Sequence, residues 1–355
     1  MIRPVKFAPN RVWRVYLGGS GIDALRQMAT QGDGHFPEDW IASTSLANNP
    51  QYDAPGQGLS RVITDAGEQI FSDYLRSNLS ETLGEIHVNK YGVNAAFLMK
   101  ILDAAERLPI QVHPSVPDAK RYFHSDFGKT EAWYVVATRR INGAEPYLML
   151  GFNTELDREK FCQEAMRGTF IAGHSMLLKL AVRPGDCFII PGGIVHAIGQ
   201  GITLIEVMEP SDLVVQPECF CGQQHLSDSE RWSNAKPEDA LKCFDFTAET
   251  EEEVRRRCSP VAEFMDECLS RVIPYKSAAH YFEVQKLECR GHYTLINREN
   301  RHRAGVVVGG DLELLSGNER LSLKQGEAFF LPYALKSCDF VGNGEVVFAL
   351  PPTLD

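Results

Sequence analysis

The feature that most constrains the fold is a succession of short β-prone runs that begins at about residue 108. Gly, Pro and Asp residues separate these runs and favour turns between them. The runs are Leu108–His113, Ala132–Ala137, Tyr147–Gly151, Leu177–Val182, Cys187–Ile190 and Thr203–Val207. After Pro274 the sequence again predicts strands, with turns at 309–311, 316–318 and 342–344. Many short strands at regular spacing predict an all-β sandwich or jelly roll.

Helices are predicted in fewer places. Apolar residues recur at helix-like intervals around 68–78 and 94–106, and plausible caps precede helices at 117–124 and 154–167. Residues 237–257 also predict a helix, because a proline lies near the start and the second half is charged. With about 150 residues per domain as a soft guide, the 355 residues predict two or three structural units.

A weak internal repeat links the two β-rich regions. The segments Gly185–His196 and Gly326–Ser337 share one plan: a glycine, five further residues, a proline-bearing turn and the start of a strand. The second copy has Ser337 where the first has His196. Two unrelated β-hairpins could share this plan by chance, so the residues alone leave the repeat open.

The charge balance excludes several classes of function. There are 36 basic and 47 acidic residues, which gives a net charge of −11 with neutral histidines. Binding to nucleic acid or to a membrane surface needs clustered Lys and Arg, so we expect neither partner. No stretch approaches the roughly 18–20 consecutive apolar residues that span a bilayer. The first residues also lack the apolar run of a signal peptide, so we expect none.

The cysteines indicate a reducing compartment. Of the nine, only Cys219 and Cys221 lie close together, and no second pair completes a zinc-finger spacing. Reduced thiols are typical of cytosolic proteins, so we expect a cytoplasmic location.

Four polar residues in β-prone surroundings form a candidate metal site. Gln111 and His113 are two residues apart, so in a strand both point to the same face. Glu131 lies at the start of the next β-prone run, and His196 follows a Pro-Gly-Gly turn. Two imidazoles, one carboxylate and one amide oxygen make a credible ligand set for Zn²⁺. Hydrogen-bonded interior histidines and a solvated glutamate explain the same residues, so both interpretations stay open at this point.

Four segments together resemble type I mannose-6-phosphate isomerases of the cupin superfamily. They are 110–114 (IQVHP), 128–133 (GKTEAW), 185–196 and 205–212 (IEVMEPSD). The similarity runs in order from about residue 9 to the end of the chain. It implies a metal site of Gln111, His113, Glu131 and His196 that normally holds one zinc ion. It also implies a C-terminal cupin unit without metal, which agrees with Ser337.

The resemblance also implies a fold. We expect a mainly β protein of two cupin (jelly-roll β-barrel) units with helical insertions and a linking helix. The metal-binding unit is expected at 1–235, with insertions at about 68–106 and 154–168. A helical linker is expected at 236–273, and the second unit at 274–355.

The activity that the resemblance implies is interconversion of mannose 6-phosphate and fructose 6-phosphate through an enediol. That reaction needs a group that stabilises the enediolate and a base beside the reacting carbon. Lys129 and Glu206 are the expected catalytic residues. The alternatives are that Lys129 is an ordinary surface lysine and that Glu206 is a salt-bridged strand residue. Lys100 and Asp212 match family residues of the pocket and are expected to bind substrate.

One position departs from the family pattern. The family usually has an arginine four residues after the aspartate at 212, thought to act in catalysis or to bind the phosphate, and this chain has Gln216 there. We expect Gln216 to line the substrate site, but glutamine supplies no charge. Loss of one charge-assisted contact weakens anion binding roughly ten- to hundredfold. Four arginines could bind the phosphate instead: Arg11, Arg14, Arg107 and Arg183.

Three functions therefore stay open. The first is the sugar-phosphate isomerase, with a small-molecule sugar phosphate as its partner. The second is a cupin isomerase for a different or unphosphorylated sugar. The third is a non-catalytic sugar-binding cupin. In each case we expect a monomer or a homodimer.

Overall fold

Strands dominate the part of the chain that the computed structural model describes, which is residues 3–52, 54–169, 175–278 and 280–354. The strands are β1 (Val5–Phe7), β2 (Arg11–Val12), β3 (Glu38–Ile41), β4 (Arg61–Thr64), β5 (Gly67–Ile70), β6 (Leu98–Ala104), β7 (Glu131–Thr138), β8 (Tyr147–Phe152), β9 (Leu177–Ala181), β10 (Cys187–Ile190), β11 (His196–Ile198), β12 (Ile202–Met208), β13 (Phe220–Cys221), β14 (Gln224–His225), β15 (Glu263–Phe264), β16 (Leu269–Ile273), β17 (Glu283–Ile296), β18 (Arg303–Ser316), β19 (Glu319–Leu323), β20 (Ala328–Leu331) and β21 (Ser337–Leu350). The expected mainly β fold is confirmed.

The helices within the described residues are short. They are α1 (Ser20–Leu25), α2 (Phe71–Ser77), α3 (Leu79–Thr82), α4 (Glu85–Tyr91), α5 (Val116–Phe123), α6 (Arg158–Arg167), α7 (Asp228–Trp232), α8 (Pro237–Ala240) and α9 (Glu251–Cys258), with a 3₁₀ turn at Leu241–Cys243.

Two large antiparallel sheets organise the molecule. One has the strand order β10-β7-β12-β6-β3-β2. The other has the order β15-β16-β17-β21-β18-β20-β1-β4-β5, with β19 paired to β18. Smaller sheets join β11, β8 and β9, and β13 with β14. Among the strands described, these sheets are open rather than closed barrels, and the architecture is that of the expected cupin units.

Both faces of the six-stranded sheet are buried. Alternate residues of its central strands, such as Ile101 and Ile205, pack in one apolar cluster with residues of the other large sheet, including Phe330. The opposite face carries Leu102 and Leu204 in a second apolar cluster. A sheet covered on both sides holds its side chains in fixed positions, and the polar side chains described below project from the second face.

Three strands from the first 70 residues join the large sheet that contains the C-terminal strands. Strand β1 pairs with β20 through Val5 and Phe330, and β4 and β5 extend the sheet beyond it. The segment 1–235 therefore contributes strands to both large sheets. The division of the chain at residues 235 and 273 stays a prediction.

Several predicted elements are present. Strand β10 has the predicted bounds, and α5 begins after Ser115, whose side chain accepts a hydrogen bond from the Asp118 backbone N–H. Helix α6 begins at Arg158, later than predicted, because Asp157 and not Thr154 caps it. These elements are specified locally, by caps and turn residues.

The helix predicted at 94–106 is wrong. Residues 98–104 form strand β6, and all seven are buried. A segment that is buried on both faces has no polar side to set its period, so its apolar pattern suits a helix or a strand. The helices of the 68–106 insertion are α2 to α4, which end at Tyr91. Lys100 thus lies in the middle of a strand, inside the segment that was predicted to be helical.

The single helix predicted at 237–257 is also wrong. Helix α8 and a 3₁₀ turn end at Cys243, and α9 starts only after Thr250, whose side chain forms a capping box with Glu253. Between them, Phe244 packs in the apolar core against Phe161. The linker ends in strand β16, which pairs with β17.

Strand register shows the internal repeat. In the first copy, Ile190 at the end of β10 pairs with Glu131 at the start of β7. In the second copy, Leu331 at the end of β20 pairs with Arg303 at the start of β18. Arg303 therefore occupies the place that Glu131 has in the first unit, just as Ser337 occupies the place of His196.

Arg303 is buried with only 2% of its surface exposed. Its Nη1 donates to the Gln285 side-chain oxygen at 3.2 Å, and its Nη2 donates to Asn297 at 3.3 Å and to Glu299 at 3.4 Å. The second unit thus holds a fixed guanidinium at a position where the first unit has a carboxylate. That substitution agrees with the expected absence of a metal from the second unit.

We predict that Arg303→Leu destabilises the protein by about 1–3 kcal/mol, because it removes the donor to the buried Gln285 side-chain oxygen. Urea unfolding measures this change. Arg290→Leu is the matched control, since the Arg290 side chain is 83% exposed, and it should cost less than about 0.5 kcal/mol. Equal effects of the two substitutions would contradict this account.

Candidate metal centre

A row of side chains crosses four adjacent strands of the six-stranded sheet. Trp40 of β3 pairs with Lys100 of β6, Lys100 pairs with Glu206 of β12, and Glu206 pairs with Trp133 of β7. Residues in register on neighbouring antiparallel strands project from the same face. Glu131 lies two residues before Trp133 and therefore shares that face.

His113, Glu131 and His196 converge at one end of this row. One ligand atom from each lies within 4.8 Å of the others, and all three residues are buried. The His113 Nε2 is 3.0 Å from one oxygen of Glu131, and the His196 Nε2 is 3.8 Å from the other. These separations would allow one ion to contact all three side chains.

Backbone carbonyls fix the tautomer of both imidazoles. The Nδ1 of His113 lies 2.9 Å from the Leu213 carbonyl oxygen, and the Nδ1 of His196 lies 2.9 Å from that of Ile194. A carbonyl only accepts, so each Nδ1 carries the proton and each neutral ring presents a lone pair at Nε2. Burial lowers the pKa of His113, and burial together with His113 lowers that of His196 to about 3.

The donor set fits a divalent cation. The two Nε2 atoms and the Oε2 of Glu131 are buried and have no hydrogen-bond partner. Burial alone would raise the pKa of Glu131, but His113 and Lys129 hold it well below its usual range. Acceptors that face one another without a donor are unfavourable. A cation among them removes that cost, and two imidazoles with a carboxylate are ligands that suit zinc.

Gln111 is placed beside these residues by backbone pairing. Its N–H donates to the His196 carbonyl oxygen at 2.9 Å, and the His196 N–H donates to that of Gln111 at the same distance. Gln111 also lines the pocket into which Glu131 projects. Its role as the fourth ligand stays a prediction.

Two lysines and a glutamate extend the site. The Lys129 Nζ is 3.3 Å from Glu131 Oε1, and the Lys100 Nζ is 2.9 Å from Glu206 Oε2. The Trp133 indole N–H donates to the other oxygen of Glu206 at 3.2 Å. Burial and the neighbouring Glu131 carboxylate raise the pKa of Glu206 to about 7.

Sequence reasoning missed Glu38. Its buried carboxylate accepts hydrogen bonds from the Tyr16 hydroxyl at 2.7 Å and the Trp40 indole at 2.6 Å, and it pairs with Arg14 at 3.0 Å and Lys100 at 3.5 Å. Burial alone would raise the pKa of Glu38, but the two cations hold it well below its usual range. Only its alternation with Trp40 in a short β-prone segment could have indicated an inward position.

The remaining predicted residues line the same pocket. Asp212 accepts two hydrogen bonds from Arg14, at 3.1 and 3.2 Å, and Gln216 donates to the Glu230 carbonyl oxygen at 3.2 Å. Among the four arginines considered for phosphate binding, only Arg14 is part of the pocket lining. The other three pair elsewhere: Arg11 with Asp23, Arg107 with Glu218 and Arg183 with Asp186.

Two family models match the chain. Residues 54–132 match the catalytic domain of type I phosphomannose isomerase, and residues 273–351 match the cupin domain of mannose-6-phosphate isomerase. The predicted resemblance to type I mannose-6-phosphate isomerases is confirmed by these two matches. The first match lies within the expected metal-binding unit, and the second covers most of the expected C-terminal unit.

Curated proteins similar to this chain include two mannose-6-phosphate isomerases. Mannose-6-phosphate isomerase ManA of Bacillus subtilis is 27% identical over 70% of this chain and 73% of its own length. Mannose-6-phosphate isomerase of Streptococcus mutans is 28% identical over 70% of this chain and 72% of its own length.

Solved structures share the whole fold. The mannose 6-phosphate isomerase of Bacillus subtilis has a TM-score of 0.74 at 17% identity and covers 98% of this chain and 99% of its own. A variant of the Salmonella typhimurium phosphomannose isomerase has a TM-score of 0.76 at 15% identity, with 99% and 100% coverage. Among the described residues, no helix is long and apolar enough to cross a membrane.

We predict that His113→Ala weakens zinc binding more than about 100-fold, since even residues one step removed from a metal cost about 10–100-fold. Metal analysis after dialysis, followed by competition with a chelator, measures this. His292→Ala is the control, because the His292 side chain is 60% exposed and pairs with Asp339. One zinc per chain retained in His113→Ala at low free zinc would refute the centre.

Proposed function

We propose that this protein is a metal-dependent aldose–ketose isomerase that interconverts mannose 6-phosphate and fructose 6-phosphate through an enediol. The observation that carries the proposal is the buried His113–Glu131–His196 cluster, with Lys129 and Glu206 projecting into the same pocket. The matched family models and the similar isomerases support the substrate class. The cluster is the reason to expect metal dependence.

Gln111, His113, Glu131 and His196 would hold one zinc ion. When bound, the dication supplies positive charge that polarises or orients the sugar oxygens. Three neutral ligands and one carboxylate leave a net positive charge at the site. The His113 and His196 rings need no proton removed at neutral pH, because burial already holds their pKa values below the usual range.

Glu206 is the proposed base. With a pKa of about 7, a carboxylate both accepts and returns a proton near neutral pH. The Trp133 N–H holds one of its oxygens, and Lys100 lies beside the other. Glu206 would take the proton from the carbon next to the carbonyl and deliver it one carbon along.

The two lysines have different proposed roles. Burial alone would lower the pKa of Lys100, but Glu206 and Glu38 raise it above its usual value, so Lys100 stays an ammonium that orients Glu206. Lys129 lies beside Glu131 and can donate to a sugar oxygen. Asp212 and Gln216 would hydrogen-bond to sugar hydroxyls, while Leu102 and Leu108 form apolar parts of the pocket lining.

A coupled assay on mannose 6-phosphate, with metal analysis of the same sample, tests this function. We expect turnover in zinc-loaded protein, its loss on chelation and its recovery with added zinc. Tight sugar binding without turnover in metal-replete protein would instead favour the non-catalytic sugar-binding alternative.

We predict that Glu206→Gln lowers kcat about 10²–10⁴-fold, the usual effect of removing a general base, without loss of bound zinc. The assay and metal analysis together separate this result from disruption of the centre. Glu263→Gln, at a side chain that is 56% exposed, should leave kcat unchanged. Near-normal turnover in Glu206→Gln would rule out this base.

A further inference from the structure

The pocket is not a basic one. Its lining contains three cationic side chains, Arg14, Lys100 and Lys129, and five carboxylates: Glu38, Glu131, Glu206, Asp212 and Glu230. A zinc ion in the metal centre would bring these formal charges to balance. The phosphate of a sugar phosphate would add further negative charge to a pocket without surplus positive charge.

Each of the three cations is already held by carboxylates of the same pocket. Lys129 lies 3.3 Å from Glu131, and Lys100 lies 2.9 Å from Glu206. The Arg14 guanidinium donates two hydrogen bonds to the Asp212 carboxylate and forms a further ion pair with Glu38 at 3.0 Å. A phosphate could recruit one of these cations only by separating a largely buried ion pair, which is costly.

Arg14 is fixed on its other sides as well. Its Nη1 donates to the Asn49 side chain at 3.2 Å, and its guanidinium stacks on the Trp40 ring with 5.0 Å to the centroid. Asp212 also accepts a hydrogen bond from the Asn48 backbone N–H at 3.0 Å. The one arginine of the pocket lining is therefore held by these contacts.

Asp212, Gln216 and Glu230 form one wall of the pocket. This wall carries two carboxylates and an uncharged amide. Glu230 is fixed by the capping box of α7, where one of its oxygens accepts from the Ser227 backbone N–H at 2.8 Å, and by Gln51, which donates to the other at 3.0 Å. Gln216 lies between them in sequence and supplies no charge.

We propose that this wall receives a neutral, hydroxyl-bearing sugar terminus, so the enzyme also isomerises unphosphorylated mannose to fructose. Hydroxyls donate to carboxylates and accept from amides, whereas a phosphate beside Asp212 and Glu230 is repelled. The proposal rests on the isomerase function proposed above. The hydrogen on C2 leaves as a proton and returns to C1, the O2 hydroxyl proton moves to O1, and no oxidant or reductant is consumed.

The test compares kcat/KM of zinc-loaded protein for mannose 6-phosphate and for mannose. One charge-assisted contact to the phosphate would favour the phosphorylated sugar by more than roughly tenfold. We expect a preference of tenfold or less. A larger preference overturns this inference and leaves the proposed function standing, whereas no turnover of either sugar by metal-replete protein overturns the proposed function as well.

Two variants test the wall itself. Glu230→Gln removes a negative charge while keeping the shape of the side chain, and Gln216→Arg adds a positive one. Each should raise the preference for mannose 6-phosphate at least tenfold. Glu263→Gln, which removes a negative charge from a side chain that is 56% exposed and outside the pocket lining, is the control and should leave the preference unchanged. Folding and zinc content of each variant are checked by thermal melting and metal analysis, and an unchanged preference in the correctly folded variants overturns the inference.

Discussion

The meeting of Glu131 with two buried imidazoles is the constraint on which the rest of the site depends. Three acceptors face one another in a volume from which solvent is excluded, and the backbone carbonyls of Leu213 and Ile194 prevent either ring from turning its N–H inward. A cation among the acceptors would remove this unfavourable arrangement. We therefore expect metal binding to stabilise the order of the surrounding strands.

Charge neutralisation governs the remainder of the pocket. Lys100 lies between Glu206 and Glu38, at 2.9 and 3.5 Å, with the Trp40 ring beside it. These three charged side chains are buried, and each has a partner of opposite charge. Buried charges are tolerated under that condition. For function, this means that fixed ion pairs orient the charged side chains of the pocket. Little positive charge is left to attract an anion.

The second cupin unit has different side chains on the same backbone plan. Arg303 starts β18 at the place where Glu131 starts β7, and Ser337 occupies the place of His196. A permanent guanidinium, held by Glu299 and two side-chain amides, provides the buried positive charge there. The repeat therefore preserves strand pairing while changing the chemistry at its centre.

The sequence by itself determined the mainly β architecture, the strand at 187–190, the capped helix after Ser115 and the identity of the candidate ligands, because turns, caps and motifs are local. Only the tertiary structure decided that 98–104 is a strand, since a segment buried on both faces has no polar side to set its period. Only strand register brought Glu38 to Lys100, which is 62 residues away in the chain. Contacts between distant strands depend on how whole sheets pair, and that pairing is a property of the folded chain and not of any one segment.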